Sequence, residues 1–179
     1  MRARVLPQRN ALVAWCRAGK PTVLRLDSKH AEAIRQHALR DYPRECCGVL
    51  LGSAGGGEKL VRDVIPLPNL RNDPQRSGEM PPLEDPEHVS ARNRYFIDPI
   101  DLLRVVKEAR ARGLEIAGFY HSHPDQPAQP STHDRTLAWP GYSYLIVTVE
   151  RGEPREMTCW VLPAESHAFE PEPMELRKL

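Results

Sequence analysis

His121-Ser122-His123-Pro124-Asp125-Gln126-Pro127-Ala128-Gln129-Pro130-Ser131-Thr132-His133-Asp134 is the stretch on which the reading of this chain turns. Two histidines one residue apart point the same way from an extended segment, because strand side chains repeat every two residues. Ser131 stands eight positions past His123, and Asp134 three past Ser131. Two imidazoles and one carboxylate are enough protein ligands for a catalytic zinc that keeps an open position for water. Each piece alone has a plainer reading. Histidines one residue apart are common on surfaces and in cores, and Ser131-x-x-Asp134 fits a helix capping box. The full string is far more specific, because Pro124 and Pro130 fix backbone φ in the loop that joins its halves. Glu45, in Pro43-Arg44-Glu45-Cys46-Cys47-Gly48, lies far upstream and is a candidate base; taken alone it reads as an exposed glutamate at a helix end.

Outward from this string the chain alternates. Leu114–Tyr120 reads as a strand that delivers His121 and His123 at its end, and Thr132–Trp139 as a helix with Asp134 in its first turn. His133 is expected to face solvent. Upstream, Asp98 suits an N-cap and Pro99 the first helical position. Leu102, Leu103, Val106 and Ala109 make an apolar stripe, and Gly113 is a natural stop. Thr22–Leu26 reads as a strand, followed by a helix from Asp27 or Ser28 to about Asp41 with Ala31, Ile34 and Ala38 on one face. Cys47–Leu51 and Glu58–Leu67 form a hairpin around Gly55-Gly56-Gly57. Tyr142–Val149 and Glu156–Leu162 form a closing hairpin around Arg151-Gly152-Glu153-Pro154, and Trp139 and Trp160 read as core. These elements predict an α/β fold with a mixed, partly curved sheet flanked by helices. Domain organisation follows: an N-terminal extension over 1–20, one domain over 21–163, and a loose Pro- and Glu-rich tail over 164–179. Six of the 18 prolines fall between Pro66 and Pro86. The 70–94 segment is therefore a loop insertion, either a surface excursion or a flap near the cleft.

Composition narrows the function classes. A chain of 179 residues suffices for a single core. A formal net charge of +1 gives no nucleic-acid footprint, and no apolar run reaches membrane-spanning length. Residues 1–20 hold Arg2, Arg4 and Arg9 before a short apolar stretch; they read as an extension of the domain or a docking arm rather than a signal peptide. Cys16, Cys46, Cys47 and Cys159 show no disulfide framework, so reduced thiols and a cytoplasmic setting are expected. Cys46 and Cys47, beside Glu45, read as small buried hydrophobes rather than as a nucleophile or fourth ligand. The His-Glu-x-x-His of other zinc proteases is absent, as are the His-x-Glu and Pro-Cys-x-x-Cys of zinc deaminases.

The string resembles the JAMM (MPN+) metallopeptidase family. That pattern is an upstream glutamate, His-Ser/Thr-His-Pro, seven residues to a serine and two more to an aspartate. Glu45, His121, Ser122, His123, Pro124, Ser131 and Asp134 fit it without departure. Val49-Leu50-Leu51-Gly52, Asn69 after Ile65-Pro66-Leu67-Pro68, Tyr95-Phe96-Ile97-Asp98-Pro99 and Ala117-Gly118-Phe119-Tyr120 are also similar, over roughly residues 22–162. Small stand-alone prokaryotic members resemble it most. The resemblance implies a single JAB/MPN domain, cytidine-deaminase-like in fold, with a largely antiparallel twisted sheet between helices. It implies Zn2+ held by His121, His123 and Asp134, Glu45 as general base and then acid, Ser131 on the oxyanion, and Ser122 and Pro124 shaping the loop. The implied substrate is a ubiquitin-like sulfur-carrier protein with a Gly-Gly tail, cut at a peptide or isopeptide bond to free cysteine or a lysine-linked target. Alternatives are a metallohydrolase of other small peptides, of cell-wall or phage-tail type, and a non-catalytic MPN scaffold, which would lack ligands that this chain has. Oligomeric state is not legible.

Overall fold

The computed structural model describes residues 22–72, 94–166 and 168–178. The expected 1–20 extension, Cys16 and most of the 70–94 insertion lie outside the described residues.

Among the described residues, eight strands, three α-helices and a short 3-10 turn at Leu70–Asn72 are formed. Strand β1 is Val23–Asp27, helix α1 Ser28–Asp41, β2 Cys47–Gly55, β3 Glu58–Leu67, α2 Pro99–Ala111, β4 Glu115–Pro124, α3 Thr132–Leu137, β5 Ser143–Glu150, β6 Glu153–Val161, β7 Glu170–Pro171 and β8 Met174–Arg177. The strands form one sheet in the order β7-β6-β5-β4-β2-β3-β1-β8. Four of its pairings are antiparallel, and three, β1 with β3, β1 with β8 and β4 with β5, are parallel. This is the expected α/β domain with a mixed, largely antiparallel sheet.

The sheet is more than twisted. Its two edge strands, β7 and β8, are separated in sequence only by Glu172 and Pro173. Three Cα steps reach at most about 11 Å, whereas eight flat strands would spread about 34 Å. The sheet therefore curls until its edges approach each other. At the seam, the Glu172 N–H donates to the Cys159 carbonyl of β6 and the Leu24 N–H of β1 to the Pro173 carbonyl, both at 2.9 Å. Residues 164–179 were expected as a loose tail; instead they supply both edge strands.

Strand alternation sorts the apolar residues onto two faces. Leu50, Tyr120, Leu145 and Val147 pack with Ile34 and Ala38 of α1 in one cluster. Val49, Leu51, Phe119 and Tyr144 pack with Val105 and Ala109 of α2 in the other. Burial on both faces explains the unbroken apolar runs of the central strands. Gly48 belongs to this packing, because a Cβ there would fall 2.4 Å from the Tyr120 ring.

Several boundaries differ from expectation. The α2 stripe runs through Val105, not Leu103, which is exposed. Helical spacing of 3.6 places Leu102, Val105, Val106 and Ala109 on one face and turns Leu103 away. The Asp98 cap and the Gly113 stop (φ 66°) are formed as read. Trp139, expected in the core, is half exposed, its ring edge-on to Phe119 and Tyr142. No helix of the described residues is long and apolar enough to cross a membrane.

Candidate metal centre and cleft

Strand β4 does not stop before the histidines, as the sequence suggested, but runs through them to Pro124. It is gripped by β2 on one side and β5 on the other. The alternation of a paired strand then sends His121 and His123 to one face with no loop entropy to pay. Beyond Pro124 the chain turns through Asp125 (φ 54°) into α3. Side chains of the neighbouring strands fasten this turn: Thr148 Oγ1 donates to the Gln126 carbonyl, and Thr158 Oγ1 and Trp160 Nε1 to the Ala128 carbonyl. Trp160 is thus part of the loop's anchorage, through the one polar atom of its ring.

Ser131 caps α3, and the capping box is real. Its Oγ accepts from the Asp134 N–H at 3.2 Å, and its own N–H donates to Asp134 Oδ2 at 2.7 Å. The plainer reading of Ser131-x-x-Asp134 and the functional one are the same geometry. The cap fixes Asp134 with its other oxygen, Oδ1, 3.4 Å from His121 Nε2. His123 Nε2 lies 3.6 Å from Oδ2 and 3.0 Å from His121 Nε2.

His121, His123 and Asp134 offer ligand atoms that all lie within 4.8 Å of one another, and all three side chains are buried. His123 Nδ1 donates to the Pro127 carbonyl at 2.7 Å, which leaves the Nε2 lone pair facing inward. Two imidazole nitrogens facing each other and a carboxylate have little reason to converge in the dark except around a cation, and a backbone carbonyl on the outer nitrogen is the usual support for a metal-ligating histidine. Burial pushes the His121 pKa down, keeping the imidazole neutral and fit to ligate. Burial alone would raise Asp134, but the neighbouring His121 and hydrogen bonds from His121, His123 and Ser131 outweigh it and hold the carboxyl far below the usual carboxylate range. The residues fit a metal ion.

Glu45 reaches this centre by way of the sheet. Cys47 pairs with His121 across β2 and β4, and the ladder is extended by Ser122: its N–H donates to the Cys46 carbonyl and its Oγ accepts from the Cys46 N–H, at 3.1 and 2.9 Å. Glu45 is buried, not an exposed helix end. Burial pushes its carboxyl well above the usual range, Asp134 pushes it further, and Arg94 partly offsets both. Glu45, His123 and Ser131 line one cleft of about 760 Å3, with Arg94, Pro43 and the 124–130 turn. Cys46 and Cys47 point into packed protein; burial raises Cys46 to about 12 and Cys47 well above its ordinary value, so both are inert thiols.

Three residues around the site were given no role by the sequence reading. Asn69 is buried and makes four hydrogen bonds: its amide nitrogen donates to the carbonyls of Glu45 and Arg94, and its oxygen accepts from the N–H groups of Arg71 and Phe96, all at 3.0–3.1 Å. It ties the start and end of the 70–94 insertion to the backbone that carries Glu45. Tyr95 stacks on His121 with ring centroids 4.6 Å apart. His133, expected to face solvent, is partly buried, with Nε2 tucked away from water. An asparagine after a Pro-rich strand end carries a turn signal, but its four partners come from distant chain and had no sequence signature.

Comparison with known proteins follows the same contour. The family model for prokaryotic homologs of the JAB domain matches residues 27–163. The chain is 34% identical over 113 residues to a desampylase of Haloferax volcanii, which covers 63% of this chain and 68% of that protein. It is 35% identical over 103 residues to a probable TtuB-protein conjugate cleaving protease of Thermus thermophilus, 58% of this chain and 55% of that one, so the match spans little more than half of that relative. A CysO-cysteine peptidase of Mycobacterium tuberculosis is 28% identical over 145 residues, 80% of this chain and 86% of the relative. A solution structure of a Desulfitobacterium hafniense protein superposes with a TM-score of 0.68 at 30% identity, covering 87% of this chain and 94% of that one.

Proposed function

The chain belongs to the family of prokaryotic homologs of the JAB domain, and from that premise we propose that it is a zinc metallopeptidase hydrolysing the bond that follows the Gly-Gly tail of a ubiquitin-like sulfur-carrier protein. The observation that carries this reading is the convergence of His121, His123 and Asp134 beside a cleft that His123 lines together with Glu45 and Ser131. The relatives point to the substrate: two are named for cutting TtuB conjugates and CysO-cysteine. A tail of two glycines suits a narrow cleft, since glycine has no side chain to exclude.

His121, His123 and Asp134 would hold a zinc ion, which when bound would supply Lewis acidity to a water and to the scissile carbonyl. The protein's own groups do the rest. Glu45, with its proton affinity raised by burial, takes the proton from the attacking water and delivers it to the leaving amine. The Ser131 hydroxyl uses its oxygen as an acceptor for the Asp134 N–H, so its own proton is free to donate to the carbonyl oxygen as negative charge builds there. His123 is held in one tautomer by the Pro127 carbonyl. Ser122 and Asn69 hold the two polar ends of the Glu45–Cys46 peptide. The buried, unbridged thiols of Cys46, Cys47 and Cys159 suit a reducing, cytoplasmic setting.

The test is hydrolysis of a ubiquitin-like carrier extended after Gly-Gly by one cysteine, and of the same carrier joined to a lysine side chain. Wild type and Glu45→Gln are compared, with metal counted in both. Cleavage by wild type alone, at about one zinc per chain in both proteins, is the expected result; metal binding without cleavage of either substrate moves the search to unrelated peptides.

A further inference from the structure

Glu45 stands on neither helix nor strand: α1 ends at Asp41 and β2 begins at Cys47. Asn69 and Ser122 hold this connection at the Glu45–Cys46 peptide. At its other end is Tyr42, three positions before Glu45, to which the mechanism gives no role. The Tyr42 hydroxyl donates to Asp125 Oδ2 at 2.9 Å. Asp125 comes two positions after His123, on the turn that leads to Ser131. Pro43 and Glu45 line the cleft beyond one end of this bond, and His123, Asp125 and Ser131 beyond the other. The bond therefore ties the wall that carries the base to the wall that carries a metal ligand and the oxyanion donor.

An exposed hydrogen bond competes with water, so it forms well only between partners that are already held in place. Both are held here. The Tyr42 ring packs against the core cluster that includes Ile34 and Ala38 of α1, and its N–H donates to the Ala38 carbonyl at 3.1 Å. The Asp125 N–H donates to the Val149 carbonyl at 2.9 Å, and its Oδ1 accepts from the Arg151 N–H at 2.8 Å. The φ of Asp125, 54°, lies in the region that favours glycine. A strained residue persists where its surroundings over-determine it. What aspartate offers here and glycine would not is two acceptor oxygens, and both are used, one by Arg151 and one by Tyr42.

We propose that Tyr42 and Asp125 are positioning residues: their bond clasps the two cleft walls and sets the reach of the Glu45 carboxyl to the attacking water. This rests on the hydrolytic reading above. Proton transfer needs hydrogen-bond reach, and a small misplacement of reacting groups costs rate steeply. The clasp therefore acts on kcat rather than on KM.

The experiment uses the zinc-loaded full chain and a Gly-Gly carrier ending in one cysteine. Wild type is compared with Tyr42→Phe, Asp125→Gly, Asp125→Asn, and Tyr42→Phe combined with Asp125→Gly. Zinc content, kcat, KM and amide hydrogen exchange are measured on each. Tyr42→Phe keeps the ring against the core and loses only the hydroxyl. Asp125→Gly removes the acceptors while suiting the backbone, and Asp125→Asn tolerates that backbone and keeps a polar partner for each neighbour. Tyr42→Phe is expected to lower kcat by about 10- to 100-fold, with KM and zinc content unchanged. It should have no further effect on top of Asp125→Gly, and Asp125→Asn should regain most of the rate. A wild-type kcat in Tyr42→Phe, a loss carried by KM, or losses that simply multiply in the double variant would overturn the clasp. Exchange separates this from failure of the substrate assignment. If wild type leaves the carrier intact, faster exchange of the Asp125 and Arg151 N–H groups in Tyr42→Phe keeps the clasp and removes the carrier-tail reading instead, whereas unchanged exchange overturns the clasp.

Discussion

Two groups of buried charges sit in this sheet, and they are built on opposite terms. In the first, Lys59 and Glu172 meet at 3.0 Å, exposed by 1% and 0%. Lys59 also donates to Ser143 Oγ at 2.9 Å, and Glu172 accepts from Thr22 Oγ1 and the Cys159 thiol. Every charge there meets its opposite, and the cluster joins β3, β5 and β6 to the two residues that close the seam. In the second, the like charge of Asp134 acts on buried Glu45, and His121 Nδ1 is buried without a partner. A paired buried charge holds the fold in one shape; a buried charge set against its neighbours holds a reactive proton inventory. The same fold contains both because the first secures the curled sheet against which the second is strained.

The largest expected effect falls on the second group. His121→Ala should abolish metal binding and bring hydrolysis to background, while Glu45→Gln should keep the metal and lose about 10²–10⁴ in kcat; metal content beside turnover checks the pair, and retained turnover in Glu45→Gln would remove the assigned base. Next is the first group. Lys59→Met leaves Glu172 buried and uncompensated and should cost about 3–5 kcal/mol of stability, whereas Lys59→Met with Glu172→Leu should recover most of it. Urea midpoints decide this, and equal losses in the single and double variants would mean that the pair has no such role. Ser131→Ala should lower kcat by about 10²-fold as an oxyanion donor is lost, with about 1 kcal/mol of stability lost with the cap. An effect on stability alone would reduce Ser131 to its cap.

Smaller effects sharpen the contrast. Asn69→Asp keeps the acceptor for Arg71 and Phe96 but loses both donors, including the one to the Glu45 carbonyl. It should lower kcat by about tenfold, the size of one buried hydrogen bond, with KM little changed. The last prediction concerns pH. The folded-state pKa of Glu45 is raised, so its stabilising contribution is complete below the ordinary carboxylate range and is lost as pH rises through the raised value. In chelator, Glu45→Gln should therefore match wild type in mild acid and become the more stable protein as pH rises. A stability difference independent of pH would show that Glu45 is not strained in the metal-free fold.

How far the sequence could be read depended on the range of the interaction concerned. The residues of the second group that lie within fourteen positions, His121 to Asp134, were legible, because strand alternation and a helix cap are local rules. Glu45 was legible only through resemblance; its burial and its raised proton affinity come from the ladder between β2 and β4. Nothing in the sequence marked Lys59 or Glu172. A lysine in a strand and a glutamate in a Pro-rich tail both read as solvated, and the tail itself read as loose.

By itself, then, the sequence determined the cluster of His121, His123 and Asp134, the caps and stops of α2, and the two apolar faces of the strands, since each follows from residues a few positions apart. Tertiary structure alone decided that the sheet curls until Glu172 meets Lys59, that Asn69 joins the base of the insertion to Glu45, and that Tyr95 stacks on His121. These contacts link residues far apart along the chain. Their energies depend on which strands become neighbours, and no local spacing encodes that.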